Sequence, residues 1–467
     1  MKCKSLRSWL GHLKDQNELV IVDRKVSLDY EIAGIAKKLN GQKAVYFSQV
    51  EDYEIPVVAG TAANRKQYAD ALGTSEEGLI DKFLEAIDNP LPCSEVSGEQ
   101  APVQEQVIHG EDVDLLKLFP IPVHHEKDSG NYISAGLAIV RDPETGKQNV
   151  SVHRLQISGK NRLGAYILPR HTFNFFKKME EQGKPLEIAI VIGVDPVTML
   201  ASQAIAPLGQ DEMEIAGALK GEPVPVVRCK TIDVMVPAHA EIVLEGKILP
   251  NIREPEGPFG EFPKLYGPKS DKEVVVIDCV THRKDPIFQT ILPASDEHLL
   301  VGGIPREASL LRSIRNTVPT VRGVHLTLGG TCRYQLVVSM KKRNEGEPKN
   351  VIFAAFAGHY DVKHVFVVDE EIDIFNAEEV EWAFATRFQA ERDLVAVHGA
   401  QGSKLDPSTD DGVGSKLGFD CTVPLNSQPM EYERIRIPGL EQINIEDYIL
   451  KVETSKENKN HFKEEVS

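Results

Sequence analysis

Apolar residues first recur at helical spacing. In SLRSWLGHLKDQ, Leu6, Trp9, Leu10 and Leu13 share one face, which predicts an amphipathic helix. ELVIVD predicts a short strand, LDYEIAGIAKKLNG a helix closed by Asn40-Gly41, and AVYFSQV and IPVVAG two more strands. A helical stretch follows at EEGLIDKFLEAIDN, and Pro90, Pro92 and Pro102 mark a linker, so residues 1–106 read as a small α/β unit. From 107 the pattern changes to short β-rich runs. YISAGLAIVRD, NVSVHRLQISG and RLGAYILP predict strands joined by turns at DPETGKQ and GKN. HTFNFFKKMEEQGK predicts a helix with a Gly stop, LEIAIVIGVDP a buried strand and EMEIAGALKG a short helix. VPVVRCKTIDVMVP, EIVLEGKIL and EVVVIDCVTHR continue the β pattern. Over 107–300 this suggests a β-barrel-like domain with helical insertions; a three-layer sandwich fits the same periodicity. REASLLRSIRN predicts a connecting helix, assigned to 301–317. VRGVHLTLGG, YQLVVSMKK, HVFVVDEEID and LVAVHG as strands, with NVIFAAFAGH and AEEVEWAFATRF as helices, predict a C-terminal α/β domain over 318–450. The polar end, 451–467, reads as a frayed tail. The fold class is α/β of the α+β kind.

Composition narrows the function. A chain of 467 residues is too long for a single core. Its 53 Lys+Arg against 70 Asp+Glu give a net charge of −17, which argues against nucleic-acid and anionic-membrane partners. No run approaches the roughly 18 apolar residues of a membrane span, since Asp195 and Pro196 interrupt the longest apolar region. MKCKSLRSWLGHLKDQ lacks the apolar core of a signal peptide, so a cytoplasmic location is expected. Six scattered cysteines without a CxxC pair form neither a disulfide framework nor a thiolate zinc site, and Cys229 and Cys279 read as inert core thiols.

Four segments of the middle domain concentrate ligand-type side chains. In Asn149-Val-Ser-Val-His153-Arg154, alternation puts Asn149, Ser151 and His153 on one face and Val150, Val152 and Arg154 on the other. Alone, this reads as a half-exposed strand with Arg154 solvated. Leu168-Pro-Arg170-His171 precedes a helix, where backbone N–H groups favour anions, although a capping histidine is the plainer reading. Ala201-Ser202-Gln203 followed by Gln210-Asp211-Glu212-Met213-Glu214 could join oxygen ligands around a hard cation, or could simply put acids at a helix start. Arg253-Glu-Pro-Glu256-Gly-Pro-Phe-Gly-Glu261-Phe262 is different. Two Gly and two Pro stiffen a backbone that carries three carboxylates, so a tuned general acid/base outweighs a structural turn. His124-His125 reads as a solvated loop, and Asp369-Glu370-Glu371 with Asp373 as a strand-end turn.

In this order, N-x-x-x-x-R, P-x-H, A-S followed by the Glu, and E-x-P-E-G-P-x-G-E resemble the UbiD family, the non-oxidative (de)carboxylases that use prenylated FMN. Gly414-Ser415-Lys416-Leu417-Gly418 is similar to that family's C-terminal GSK segment, and the match runs from about residue 20 to 425. The resemblance implies a central split β-barrel that binds the flavin. It implies Asn149, His171 and Glu212 as Mn²⁺ ligands bridging to the cofactor phosphate, and a K⁺ ion near Ala201, Ser202, Ala204 and Glu212. Val152, His153, Arg154, Arg170 and Lys416 would contact the cofactor beside Asn149 and His171. Arg154, Glu256 and Glu261 would form a Glu–Arg–Glu network. Arg154 would pair with the substrate carboxylate, Glu261 would protonate carbon after CO₂ leaves, and Glu256 would tune both, in a reversible reaction whose electrons the flavin accepts. The metal would neutralise the phosphate, so no Gly-rich phosphate loop is needed.

The segment Leu292-Pro-Ala-Ser295-Asp296-Glu297-His298 and the following Gly302-Gly303-Ile-Pro305-Arg306-Glu307 border the substrate in this family. His298 and Arg306 could clamp a polar group distal to the leaving carboxylate, similar to the branch acting on furan- and pyrrole-type carboxylates, including furan-2,5-dicarboxylate. Equally, Arg306 could be a surface charge opening a helix, and phenolic acids such as 4-hydroxybenzoate stay open. The resemblance further implies a small aromatic or heteroaromatic acid and CO₂ as ligands, a UbiX-like flavin prenyltransferase as cofactor supplier, and a homodimer or homohexamer. A non-catalytic prenyl-FMN-binding subunit is the rival; joint retention of Arg154, Glu256 and Glu261 argues against it.

Overall fold

The first helix forms over Leu6–Asp15 and buries Leu6, Trp9, Leu10 and Leu13. Ser5 caps it by accepting the Ser8 amide, a donor the helix itself leaves unpaired. The structure, a computed structural model, describes residues 3–448, so the tail assigned to 451–467 lies outside the described residues. The chain divides into two units, Met1–Thr422 and Val423–Ser467. In the second, the described residues hold short 3-10 turns and expose Ile435, Ile437 and Tyr448. All the site residues named above lie in the first. Among the described residues, no helix is long and apolar enough to cross a membrane.

In the first unit, Leu19–Val22, Ala44–Phe47 and Val57–Ala59 pair in that order, and Phe288–Gln289 joins their edge from far along the chain. The central sheet has nine strands. Its path runs Tyr132–Ile133, Leu155–Gly159, Arg162–Ala165, Ser270–His282, Ile242–Glu256, Leu186–Ile192, Leu137–Arg141 and Gln148–Val152, with Gln106–His109 pairing Ser270–His282. A five-stranded sheet follows in the order Val321–Leu326, Gln335–Met340, His364–Asp369, Val413–Cys421, Leu394–Gln401. Thus helices and sheets mix throughout.

Three departures from the periodicity matter for the site. NVSVHRLQISG is not one strand: Gln148–Val152 pairs with Leu137–Arg141, whereas Leu155–Gly159 pairs with Tyr132–Ile133 and Arg162–Ala165. The chain changes partners at His153-Arg154, which therefore stand between two ladders. EIVLEGKIL continues to Glu256, which ends a strand rather than sitting in an irregular loop. Leu186–Ile192 covers that strand only as far as Ile248, so Pro255 falls on a free edge, where its missing N–H costs no ladder bond. The connecting helix begins at Asp296, not Arg306, and runs to Thr317 through Gly302, Gly303 and Pro305. Burial of most of its length outweighs their low helix propensity. Two carboxylates fix this helix: buried Glu297 accepts from Gly60, Thr61 and Ala62, and buried Glu307 pairs with Arg65 at 2.8 Å and His325 at 3.0 Å. They flank His298 and Arg306.

Candidate active site

Arg154 lies between two carboxylates. Its Nη2 donates to Glu256 Oε2 at 2.6 Å and its Nη1 donates to Glu261 Oε1. The guanidinium lies over the rings of Tyr166 (4.6 Å) and Phe259 (5.6 Å), and it is buried, not solvated as the isolated segment suggested. The two acids differ in their surroundings. Glu256 is fully buried, and its Oε1 accepts the Tyr132 hydroxyl at 3.1 Å. Glu261 keeps 13% of its side chain exposed and lines a cavity of about 540 Å³ with Tyr30, Lys37, His124 and Tyr266. Burial raises the Glu261 pKa, with Glu256 adding to it and Arg154 opposing. A carboxyl whose proton affinity is raised and which also meets open space is equipped to deliver and regain a proton. Gly257 (φ +84°) makes the turn between these acids; a Cβ there would lie 3.0 Å from the Pro268 carbonyl, so glycine is required. The Arg154 Nε is buried without a partner, a donor still open to an anionic ligand.

Around Asn149 a second set converges. His171 Nδ1 lies 3.1 Å from Asn149 Oδ1, Asn149 Nδ2 donates to Thr172 Oγ1 at 3.0 Å, and Glu212 Oε2 accepts the Val150 amide at 2.7 Å. Asn149 and Glu212 are buried, and burial pushes Glu212 up to about 8. A carboxylate held there without a cation is unfavourable. Neutral oxygen, imidazole nitrogen and carboxylate fit Mg²⁺ or Mn²⁺, whose neighbouring ligand atoms stand about 3 Å apart. The nearby helix His171–Glu180 has no side-chain cap, Arg170 being its extended N-cap, which leaves its first amides free for a phosphate. Val152 ends the strand Gln148–Val152; His153 Nε2 bonds Ser151 Oγ at 2.9 Å, and burial, with Arg170 nearby, holds it neutral with a pKa of about 4. Ala201 and Ser202 end the helix Pro196–Ala201, which packs on Glu212–Lys220; the Ser202 hydroxyl donates to Met199, and Ala204 follows in the turn.

The third group comes from the connecting helix and the C-terminal sheet. Arg306 is buried, which removes the reading of it as a surface charge. His298 accepts the Ala294 amide at Nδ1, and burial, Arg333 and Arg306 lower its pKa to about 3. Lys416 Nζ donates to the carbonyls of Tyr360 (2.7 Å) and Val362 (2.8 Å), so only part of its donor capacity is left for a ligand. It sits on Val413–Cys421, a strand the periodicity does not reveal because glycines interrupt GSKLG. His124 is also corrected: it is buried and bonded to Thr290 Oγ1 at 2.8 Å rather than solvated. Cys229 and Cys279 are buried with raised thiol pKa values, as expected of core thiols.

The fold thus brings together the predicted acids with Arg154, and Asn149 with His171 and Glu212. Sequence reasoning did not find Tyr132, Tyr166, Thr172 or Arg333. Only Thr172, next to His171, had a local cue; Tyr132 meets Glu256 through the sheet, and nothing in YISAGLAIVRD marks it. Among the described residues no three His, Cys, Asp or Glu cluster as a metal site, because the candidate set includes an asparagine.

Comparisons with known proteins agree with this architecture. Three family models for 3-octaprenyl-4-hydroxybenzoate carboxy-lyase match in succession: its N-terminal domain over 10–87, its Rift-related domain over 94–296 and its C-terminal domain over 299–421. The structure of the UbiD-class enzyme HmfF from Pelotomaculum thermopropionicum in complex with FMN is similar with a TM-score of 0.94 and 53% identity, over 95% of this chain and 100% of that one. An evolved dimeric form of HmfF in complex with prFMN gives a TM-score of 0.90 and 50% identity, over 96% and 100%. The anhydromevalonate phosphate decarboxylase of Methanothermobacter thermautotrophicus is 42% identical over 423 residues, 90% of this chain and 97% of that protein.

Proposed function

This chain belongs to the UbiD family of carboxy-lyases, and on that premise we propose that it decarboxylates a heteroaromatic acid of the furan or pyrrole type, using prenylated FMN and Mn²⁺. It is a decarboxylase of the prenylated-FMN class. The observation that carries the reading is the complete Glu256–Arg154–Glu261 network, which a protein that only stores flavin has no use for.

Prenylated FMN, when bound, supplies the electron sink for the charge left on carbon as CO₂ departs. The residues do the rest. Asn149, His171 and Glu212 would hold Mn²⁺ against the cofactor phosphate, with K⁺ near Ala201, Ser202, Ala204 and Glu212. The open amides after Arg170 would take the same phosphate, and Val152, His153 and Lys416 would line the cofactor. Arg154, fixed by both acids, would orient the substrate carboxylate through its free Nε. Glu256 keeps Arg154 charged in a buried position. Glu261 holds the proton that replaces CO₂ and regains one through the adjoining cavity. Neutral His298 and Arg306 would grip the ring's distal substituent. A UbiX-like prenyltransferase would supply the cofactor, and the working state would be a homodimer or homohexamer.

Co-expression with a flavin prenyltransferase should yield protein with a flavin-like absorbance band that releases CO₂ from furoic or pyrrole acids faster than from hydroxybenzoic acids. Active protein without the band would overturn the cofactor assignment, and preference for 4-hydroxybenzoate would overturn the substrate class. His171→Ala should lose both metal and flavin, seen by elemental analysis and absorbance of purified protein. Retention of both at wild-type stoichiometry would remove His171 from the metal site.

A further inference from the structure

Tyr132, Gln156 and Gly164 stand directly opposite one another on adjacent strands, since Tyr132 pairs with Gln156 and Gln156 with Gly164. Cross-strand partners on one face touch, so each place in such a row normally carries a side chain. Glycine leaves the last place empty, and Glu256 occupies it: a Cβ on Gly164 would lie 3.3 Å from Glu256 Cγ and 3.4 Å from its Cβ. The acid enters from the end of its own strand and arrives beside the Tyr132 hydroxyl, which is 3.1 Å from both Glu256 Oε1 and Gln156 Oε1. Tyr132 and Glu256 are fully buried, and the tyrosine ring packs on Phe259 at 4.2 Å. The Gln156 amide is fixed in orientation, because Nε2 donates to the Ser129 carbonyl at 2.7 Å and Oε1 accepts the Gly257 amide at 3.0 Å. The hydroxyl's single hydrogen is therefore offered to two oxygens, one on a neutral amide and one on a carboxyl. A charged acceptor binds roughly twice as strongly as a neutral one, so the hydrogen goes to Glu256 while that group is ionised. The reverse chain, Glu256 to Tyr132 to Gln156, needs a proton on Glu256 and exchanges the charge-assisted bond for neutral ones. Glu261, the other acid on Arg154, faces the cavity instead.

We propose that Tyr132 is a positioning residue for decarboxylation: its hydroxyl, aimed by Gln156, holds the negative charge of the acid pair on Glu256 and so leaves the transferable proton on Glu261. This rests on the decarboxylase reading above, and adds the residue that makes two similar carboxylates unequal. The other titratable groups that face the pair are Arg154, Tyr166 and Lys272, with Tyr30, Lys37, His124, His125, Glu126, Lys264 and Tyr266 around the cavity. Removing the Tyr132 hydroxyl alters none of them, so a displaced pH dependence reports how the pair shares its proton.

The test measures kcat, KM and their pH dependence for cofactor-loaded protein with furan-2,5-dicarboxylate. Tyr132→Phe keeps the ring against Phe259 and removes only the hydroxyl. Glu256 then competes with Glu261 for the proton they share. The kcat plateau should fall about tenfold, KM should stay within about threefold, and the alkaline limb, where Glu261 loses its proton, should move up by about one pH unit. Both changes have one cause: a proton drawn to Glu256 is missing from Glu261 on the plateau, yet leaves the pair only at higher pH. Wild-type and variant rates should therefore converge above the limb. Gln156→Glu, which keeps Tyr132 but offers its hydrogen a second charged acceptor, should give the same paired change if Tyr132→Phe fails to fold. A lower plateau with an unmoved limb would make the role of Tyr132 purely structural, and an unchanged plateau would remove it from the reaction; either result overturns this proposal alone. A wild type without an alkaline limb would overturn the Glu261 reading and this proposal with it.

Discussion

Glu261→Gln should lower decarboxylation about 1,000-fold while leaving flavin and metal bound. The amide keeps the size of the side chain and an oxygen for the Arg154 Nη1 bond, so the guanidinium stays in place. What disappears is the proton. Glu256 cannot substitute, because it is fully buried and engaged with Arg154 and Tyr132. The pH profile gives a second measurement. Burial raises the Glu261 pKa, so the protonated, donating form persists to higher pH than in a free carboxyl, and kcat falls as pH rises through that raised value. Glu261→Gln should lack this alkaline limb in its residual rate. Near-normal turnover in the variant would end the assignment of Glu261 as proton donor.

Arg154→Met should abolish turnover and also destabilise the protein without its cofactor by about 3–5 kcal/mol, the usual cost of stripping the partner from a buried ion pair. Methionine can still occupy the space beside Tyr166 and Phe259, so the loss is one of charge rather than packing. Glu256 and Glu261 would then face each other with no cation between them, and both would hold protons more tightly in the folded state. A carboxyl whose folded pKa is raised favours folding at low pH and gives up that contribution as pH rises through the folded value. The deficit should therefore be smallest below the ordinary carboxylate pKa of about 4.3 and grow toward neutrality. Urea unfolding of wild type and variant at acidic and neutral pH measures it; a deficit independent of pH would show that the carboxylates are not the cause.

Legibility varied with the range of the interaction. The helix Leu6–Asp15 and the strand Leu186–Ile192 follow from spacing alone, because burying one face of a short segment is a local demand. The connecting helix does not. Gly302, Gly303 and Pro305 signal a break, and only its burial, with Glu297 and Glu307 gripping neighbouring segments, keeps it continuous from Asp296. Val413–Cys421 is similar: its pairing on both sides makes it a strand despite its glycines. The same division holds in the site. Asn149, Arg154, His171, Glu212, Glu256, Glu261 and Lys416 were named from ordered motifs. Tyr132 on Glu256 and Arg333 beside Arg306 were not, since each contact joins segments far apart in the chain.

By itself, then, the sequence determined the chemistry available: two acids on a stiff turn, an arginine to hold them, an N/H/E set for a hard cation, and a family in which these act together. It also determined most of the local elements, whose causes lie within a few residues. The tertiary structure decided what each group experiences. It made Glu256 dry and opened Glu261 to a cavity, and turned Arg154 from a solvated strand residue into a buried cation lying over aromatic rings. Burial and the distance between charges set proton affinity, and both are properties of the assembled fold, not of any one segment.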